Sequence, residues 1–242
     1  MFAQPEPLTF AQHGHLYFQP VRDYQFAADL VAAPLSGSEV SEAAKHFPVV
    51  FPPEGQSLLP QAVLSLQQGS NAFVSESGQW QAPYVPAHIR RYPFILSKVQ
   101  DSDRYTIALE REAPQLRPQA QAGADSQPLF DAEGNPGQPV ERAQQFLTKY
   151  QQELSATERL LAPLQEQGLL VARQFKIGQG EEQAAVLSGF RVFDSDRLSQ
   201  LEDATLGEWT RNGVLGMIFA HLHSLSNART LAQRQQAQLA NA

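Results

Sequence analysis

The sequence predicts an α+β fold. We expect an antiparallel, β-rich N-terminal half with short helices and a mainly helical C-terminal half with one β-hairpin. Residues 1–112 contain short apolar segments separated by prolines, glycines and polar turns, which is typical of strands. From residue 129 onward, apolar residues recur every three or four positions, as in amphipathic helices. Residues 113–128 have almost no apolar periodicity and are predicted to be a loop, either a lid or a spacer.

We treat residues 1–242 as one domain, with a possible subdivision into a β-rich part (1–112) and a helical part (129–242). Three strand signals stand out in the first part. Residues 49–51 are apolar and flanked by prolines. Two hairpins are predicted, and each places a polar turn between apolar segments. They consist of residues 62–66 with 72–74, and of residues 94–96 with 105–109.

Two short helices are expected between these strands. Ser38 can cap a helix over residues 39–46, because a serine hydroxyl accepts a hydrogen bond from the first free backbone N–H groups. Pro86 can open a short helix over residues 87–91, since the missing N–H is not needed at a first helical position.

In the C-terminal half, the sequence pattern predicts a helix that begins at Pro139. A second helix is predicted to begin at a capping box over residues 155–158 and to end at Gly168. A hairpin over residues 169–193 follows, with its turn at 178–180. The remaining segments are helical. They are predicted to be a short helix capped within residues 194–196 and ending near 203, a helix with a capping box at 205–208 that breaks at 212–213, and a last helix over 214–234 with a frayed tail.

Composition excludes several classes of function. The chain has no cysteine, which removes disulfide scaffolds, zinc ribbons, iron–sulfur clusters and thiol nucleophiles. Its net charge is −7, which argues against nucleic acid as the main partner. No run approaches the roughly 20 apolar residues that span a bilayer, and the N-terminus lacks the pattern of a signal peptide. We therefore expect a cytoplasmic protein without membrane insertion. Charged residues are scarce at 18%, and 30 glutamines take their place.

Residues 80–94 form the densest unusual segment. Aromatic rings, two prolines and two arginines lie close together there, and arginine binds carboxylates in a bidentate manner and stacks on rings. One hypothesis is an anion or aromatic-ligand site. The alternative is that the rings are core residues and the arginines pair with acidic side chains. The candidate ligand-binding residues are Asn71, Trp80, Tyr84, Arg90 and Arg91.

Metal and catalytic motifs are weak. His13 and His15 could chelate a metal if residues 10–18 were extended, because alternate side chains of a strand share one face. His221 and His223 lie in a predicted helix. There a separation of two residues rotates one ring about 200° away from the other around the helix axis. The nucleophile-elbow, dinucleotide and phosphate-loop motifs are absent. We predict no cofactor, and catalytic residues remain unknown.

Several segments together resemble the bacterial SapC-like proteins over nearly the whole chain. The similar segments are Tyr24-Gln25-Phe26-Ala27, Pro34-Leu35 with Glu39, Phe47-Pro48-Val49-Val50-Phe51, Asn71-Ala72-Phe73-Val74 with Gly78 and Trp80, residues 84–94, Leu129-Phe130-Asp131 with Gly134, and His221-Leu222-His223-Ser224-Leu225. The family takes its name from surface-layer formation, and its members look to be encoded near outer-membrane receptors and flavin-dependent halogenases. The resemblance implies no established reaction and no catalytic residues.

Two functions follow as hypotheses. The first is an accessory or interaction protein linked to bacterial cell-envelope or outer-membrane uptake functions, with no catalysis evident. The alternative is a small-molecule-binding protein or an enzyme, possibly metal-dependent, with a pocket around Trp80 to Phe94. The expected partner is a protein or a small molecule, and the oligomeric state is not specified by the sequence.

Overall fold

A computed structural model describes residues 1–20, 23–98, 105–177 and 185–241 of the chain. It contains 41% helix and 21% strand, with antiparallel sheets in the N-terminal half and mostly helices in the C-terminal half. The predicted α+β class is therefore confirmed. No helix in the described ranges is both long enough and apolar enough to cross a membrane.

The first half is built from short elements. Its strands and helices are β1 (Pro5–Pro7), α1 (Phe10–His13), β2 (Leu16–Phe18), β3 (Ala32–Pro34), α2 (Gly37–Ala43), β4 (Val49–Val50), β5 (Gln61–Val63), α3 (Ala87–Arg90), β6 (Phe94–Lys98), β7 (Tyr105–Glu110), β8 (Leu116–Pro118) and β9 (Gln127–Pro128). Two single-turn 3-10 helices span Gln25–Ala27 and Gln119–Gln121.

The second half contains the long elements. They are α4 (Gln138–Glu166), β10 (Leu170–Ile177), β11 (Ala185–Phe193), a 3-10 helix (Ser195–Gln200), α5 (Asp203–Asn212), α6 (Val214–Ser224) and α7 (Asn227–Asn241). Helix α4 has 29 residues and is therefore about 43 Å long at 1.5 Å per residue.

The described strands form four small antiparallel sheets. Their strand orders are β1-β7-β6, β8-β2-β9, β3-β5-β4 and β10-β11. Phe51, directly after β4, exchanges two backbone hydrogen bonds with Arg191 of β11, at N···O distances of 2.9 and 2.7 Å. This pairing joins the sheet of the N-terminal half to the hairpin of the C-terminal half.

Three apolar clusters fill the interior. The first packs β3, β4 and β5 against α2, α3 and α7. The second lies under the end of α4 and contains Leu161, Leu164 and Trp209. The third lies under the start of α4 and contains Val140 and Leu147 together with residues of β6 and β7. Helix α4 therefore links two of the three clusters along its length.

Of the two predicted N-terminal hairpins, one is confirmed and one is wrong. Strands β6 and β7 pair as expected, and the turn at 101–103 lies outside the described residues. Residues 72–74, in contrast, form no strand with 62–66. Strand β5 pairs with β3 and β4 instead, and Val74 forms a bridge with Trp80. Local alternation of apolar residues marks a strand but does not specify its partner.

The start of helix α2 differs from the prediction by two residues. Ser36, and not Ser38, caps the helix in a capping box with Glu39. The signal was present in the sequence, since a serine followed three positions later by glutamate is the capping-box pattern. Helix α3 begins at Ala87 after Pro86, as predicted, although Pro86 is the cap and not the first helical residue.

Residues 113–128, predicted to be a loop, contain β8, β9 and one turn of 3-10 helix. Both strands pair with β2, where Tyr17 lies opposite Arg117 on one side and Pro128 on the other. The segment has little apolar periodicity because these strands are only two or three residues long. A distant partner strand, and not a local pattern, gives them their structure.

The predicted break of the long helix at residues 155–158 is wrong, because α4 is continuous there. Thr157 serves a tertiary contact: its Oγ1 donates to the Glu153 carbonyl at 2.6 Å and accepts from the Gly37 N–H at 2.7 Å. Gly168 follows the end of the helix with φ +63°, as predicted for a glycine in this position.

The last four helical segments confirm the prediction in part. Asp194 caps the 3-10 helix, which ends at Gln200 and not near 203. Helix α5 begins at Asp203, so the predicted capping box at 205–208 is wrong. The predicted last helix is divided into α6 and α7, and α7 continues to Asn241, so the tail from 235 is helical. The hairpin of β10 and β11 is confirmed, with its turn outside the described residues.

His221 of α6 connects β4 to β11. Its ring is 1% exposed, its Nδ1 donates to the Val49 carbonyl at 2.6 Å, and its Nε2 accepts from the Phe193 N–H at 3.1 Å. Ser224, one turn later, accepts from the Val49 N–H at 2.8 Å. Burial lowers the pKa of His221 to about 4. The neutral ring therefore supports the junction between the β3-β5-β4 sheet and the β10–β11 hairpin.

Acidification should weaken this junction. The unfolded histidine binds a proton near pH 6.5, whereas His221 in the folded protein stays neutral until about pH 4. Stability from this residue is therefore complete above pH 6.5 and decreases by roughly 2 kcal/mol as the pH falls to 5. Urea unfolding at several pH values tests this. We expect His221→Gln to reduce the slope of stability against pH, and the exposed control His223→Gln to leave it unchanged. Equal slopes in the two variants would contradict the assignment.

Gly213 separates α5 from α6 and has φ +87°. We expect Gly213→Ala to lower the free energy of unfolding by about 1–2 kcal/mol, because a β-carbon is unfavourable in the left-handed region. Gly216 lies within α6, and a β-carbon added there would meet no atom of another element within 4 Å. Gly216→Ala should therefore raise stability by about 0.5–1 kcal/mol through helix propensity. Urea denaturation measures both, and a loss of stability in both variants would argue against this account.

Candidate functional site

The segment predicted to bind a ligand closes around the buried carboxylate of Glu39. Glu39 is the third residue of α2 and is 7% exposed. Its Oε1 accepts from Tyr84 Oη at 2.6 Å and from the Ala87 N–H at 2.7 Å. Its Oε2 accepts from the Ser36 N–H at 3.0 Å. One carboxylate thus connects the start of α2, the segment before α3, and the first turn of α3.

Trp80 and Tyr84 are partly buried and pack against the first apolar cluster. Trp80 Nε1 donates to the Tyr84 carbonyl at 2.8 Å, and the indole ring packs against Tyr24, Phe47 and Phe73. Burial, together with the hydrogen bond to Glu39, raises the pKa of Tyr84. The hydroxyl therefore stays protonated and remains a donor to the carboxylate.

Arg90 covers the outer side of this arrangement. Its Nε donates to the Val85 carbonyl at 3.0 Å, and its Nη2 lies 4.0 Å from Glu39 Oε1. The Cζ atom lies 5.5 Å from the centroid of the Phe146 ring on α4. The side chain is 47% exposed, so its pairing with Glu39 contributes little to stability. Its contacts connect α3 to α4.

Arg91 points to a different set of residues. Its guanidinium lies between two rings, with Cζ 5.3 Å from the centroid of Phe2 and 5.9 Å from that of Tyr150. Its Nε donates to the His88 carbonyl at 3.2 Å. Burial lowers the pKa of Arg91. The arginine is held by cation–π contacts and a backbone carbonyl.

His88 and Tyr150 complete this second group. The His88 Nδ1 lies 3.5 Å from Tyr150 Oη, and its Nε2 lies 3.5 Å from Arg91 Nη2. Burial, followed by the charge of Arg91, lowers the pKa of His88 to about 3. Burial raises the pKa of Tyr150. Both shifts move the pKa away from pH 7, where a general acid or base is most effective.

The N-terminus of α2 rests on α4 beside this group. Ser38 Oγ donates to Glu153 Oε2 at 3.0 Å, and the Gly37 N–H donates to Thr157. Lys149 Nζ lies 3.7 Å from the other Glu153 oxygen. The candidate site residues did not include Glu39, His88, Tyr150 or Glu153, although Glu39 and His88 lie in segments that carry the family resemblance. Glu39 carried a second signal, as the fourth residue of the capping box.

Asn71 lies apart from the other predicted site residues. It is 3% exposed, its Nδ2 donates to the Ala27 carbonyl at 2.9 Å, and its Oδ1 accepts from the Phe73 N–H at 2.9 Å. Both ends of the amide are therefore used inside the protein. The structure brings Trp80, Tyr84 and Arg90 together around Glu39, places Arg91 on the adjoining group, and separates Asn71 from both.

Metal chelation by His13 and His15 would require residues 10–18 to be extended, and they are not. Residues 10–13 are helical and not extended, so the two rings do not share a face. His13 is buried, with its Nε2 3.0 Å from Glu6 Oε1, whereas His15 is exposed. Hydrogen bonds from Arg111 and His13 lower the pKa of Glu6 to about 2. Within the described part of the chain, no group of three His, Asp or Glu side chains is arranged to hold a metal ion.

Four surface cavities are lined by residues other than Trp80, Tyr84, Arg90 and Arg91. A groove of about 580 Å³ lies between strands β6 and β7 and helix α4. A polar cavity of about 840 Å³, with Asn71 in its wall, lies beside α7. The other two, of about 660 and 300 Å³, lie beside the β10–β11 hairpin and at the N-terminus of α2.

We expect Tyr84→Phe to lower the free energy of unfolding by about 1.5–3 kcal/mol, because a hydrogen bond to a buried carboxylate is lost. Tyr105→Phe is the matched control. Its ring is 54% exposed, and the change should stay within about 0.5 kcal/mol. Urea unfolding at pH 7.5 measures both variants. A Tyr84→Phe protein as stable as the wild type would mean that Glu39 is not held by this contact.

The comparisons with known proteins agree with the sequence resemblance. No curated protein and no solved structure matches this chain. A family model described as SapC matches residues 8–231, which is nearly the whole chain and includes Glu39, the segment around α3 and helix α6. The chain therefore belongs to the SapC family.

Proposed function

We propose that the protein is an accessory or interaction protein that serves bacterial cell-envelope or outer-membrane uptake functions from the cytoplasm, and that it acts by binding and not by catalysis. One observation carries this proposal. The polar side chains around α3 are hydrogen-bonded to one another and to backbone groups. Such side chains hold neighbouring elements together, as buried polar groups in proteins commonly do.

The groove between β6, β7 and α4 is the surface we propose for the partner. Its floor is apolar and includes Leu96, Ile107 and Val140. Its rim on α4 carries side-chain amides and hydroxyls, among them Gln144, Thr148, Gln151, Gln152 and Ser155. An apolar floor with neutral hydrogen-bonding groups along one side suits a peptide segment, which has both apolar side chains and backbone amides.

Two features favour an extended segment of a partner protein. Strand β6 is the outer strand of its sheet, pairs with β7 alone among the described strands, and contributes Leu96 to the groove. An outer strand is a common docking edge for an extended chain. Arg159 is the single charged side chain in the lining. We therefore propose that the occupant carries an acidic residue near Arg159.

The alternative function is a small-molecule-binding protein or metal-dependent enzyme with its pocket around Trp80 to Phe94. It requires open volume against these side chains. Tyr84 and Arg90 instead contact Glu39. These contacts favour the interaction function.

A photo-crosslinking experiment tests the proposal. A benzoylphenylalanine probe replaces Thr148 in the groove, and in a control protein replaces Gln145, which is exposed outside the groove. In the native bacterium we expect the groove probe alone to give an adduct with a component of the envelope or of an uptake system. Gln151→Arg, which fills the groove, should remove this adduct. An adduct that persists in Gln151→Arg, or no adduct from Thr148, would refute the groove as the partner site.

The proposed acidic residue of the partner is tested next. The probe is a synthetic peptide with the sequence of the partner segment that crosslinks to position 148. Fluorescence anisotropy should give a dissociation constant about 3–10 times higher for Arg159→Gln than for the wild type, since a partly exposed charge pair contributes on the order of 1 kcal/mol. Arg142→Gln, on the same helix but outside the groove, should bind as the wild type does. Equal affinities for Arg159→Gln and wild type would exclude charge recognition.

A further inference from the structure

Asn212 ends helix α5 and is followed by Gly213, which makes the one Asn-Gly pair of the sequence. The residue is exposed, and its Oδ1 accepts from the Val214 N–H at 3.1 Å. An asparagine that accepts from the N–H two residues later curls over the peptide between them. The Asn212 Cγ is thereby brought towards the Gly213 nitrogen, and the same hydrogen bond draws electrons from the side-chain carbonyl.

The surroundings of Asn212 leave these atoms free to react. Gly213 has φ +87°, and a β-carbon added there would meet nothing within 4 Å beyond its neighbours in the chain. Asn212 also lines the cavity of about 300 Å³ at the N-terminus of α2, where water reaches its side chain. In the described part of the chain, no group accepts a hydrogen bond from its Nδ2. The amide nitrogen is therefore not held in place.

Three other asparagines lack this combination. Asn71 makes the same turn, with Oδ1 accepting at 2.9 Å, but it is 3% exposed and its Nδ2 donates to the Ala27 carbonyl. Asn227 donates through Nδ2 to two backbone carbonyls. Alanine follows both of these asparagines, so a β-carbon stands beside the nitrogen. Asn135 precedes Pro136, whose nitrogen carries no hydrogen.

We propose that Asn212 is a site of spontaneous deamidation in the folded protein, and that the product changes the turn between α5 and α6. The Gly213 nitrogen loses its proton to base and attacks Cγ of Asn212. A C–N bond forms and closes a succinimide ring, while the bond from Cγ to Nδ2 breaks and Nδ2 leaves as ammonia. Water then opens either carbonyl of the ring and gives an aspartyl or an isoaspartyl residue. One water is consumed, one ammonia is released, and nothing is oxidised or reduced.

The isoaspartyl product changes the backbone as well as the charge. The main chain then runs through the former side chain, which adds one carbon atom directly before Gly213. This strains the turn that positions α6, and α6 carries His221, which holds β4 to β11. The aspartyl product keeps the normal backbone, and the dipole of α6 favours its charge. Asn212 lies outside the groove on α4, so this site is independent of the proposed function.

Timed incubation of the full folded chain tests the proposal. Tryptic peptide 212–229 contains Asn212 and Asn227, so mass spectrometry compares both in one molecule. We expect the peptide to gain about one mass unit, with fragment ions that assign the gain to Asn212, and isoaspartyl methyltransferase to label the aged protein. The gain should be several-fold faster at pH 8 than at pH 6, because base produces the attacking nitrogen. An Asn212 that stays intact in the folded protein would overturn the proposal, even if it deamidates in urea.

Variants separate the chemistry from its consequence. Gly213→Ala should slow the deamidation several-fold, because a β-carbon hinders the approach of the nitrogen. The matched control Gly216→Ala should leave the rate unchanged, and equal rates in the two variants would overturn the mechanism. Aged wild-type protein should unfold at a lower urea concentration than fresh protein, whereas fresh Asn212→Asp should match the fresh wild type. Equal midpoints for aged and fresh protein, or an equal loss in Asn212→Asp, would overturn the effect on the turn.

Discussion

A carboxylate can be buried only where donors surround it, and the packing around α3 is built on this constraint at Glu39. The donors come from the cap of α2, from Tyr84 and from the backbone of α3. Each donor belongs to a different part of the chain, so satisfying one carboxylate fixes three segments relative to one another. The aromatic and basic residues around α3 thereby serve as a joint between α2, α3 and α4. Side chains that are able to bind a ligand form a binding site only where they line open space.

Local patterns predicted the elements whose partners are close in the chain. The β6–β7 and β10–β11 hairpins each have both strands within a short stretch of sequence. The strands in 113–128 pair with β2 near the N-terminus, and β5 pairs with β3 and β4 and not with the apolar residues that follow it, so apolar alternation alone did not distinguish the correct pairing. Thr157 and Ser38 are small polar residues that look like helix caps, yet both are used for contacts between α2 and α4. A serine or threonine can either cap a helix or bind a neighbouring element, and only the tertiary structure shows which role it has.

The candidate site was predictable as a segment but not as a set of contacts. Residues 80–94 do come together, because prolines and a short helix keep them near one another. Their partners are remote: Glu39 lies 45 positions before Tyr84, and Tyr150 lies 62 positions after His88. The glutamines that replace charge in this chain contribute in another way. Gln144, Gln151 and Gln152 form a neutral polar rim, and Gln235 is buried with its amide bonded to Leu66 and Ser65.

The pairing of Phe51 with Arg191 has a consequence for synthesis on the ribosome. More than half of the chain separates these two residues. The outer edge of β4 therefore emerges long before the strand that covers it, by roughly 7–28 seconds at 5–20 residues per second. During that time an apolar strand edge is open to neighbouring nascent chains. The flanking prolines Pro48, Pro52 and Pro53 cannot donate backbone hydrogen bonds, so they shorten the edge that is at risk and protect the chain until its own C-terminal third arrives.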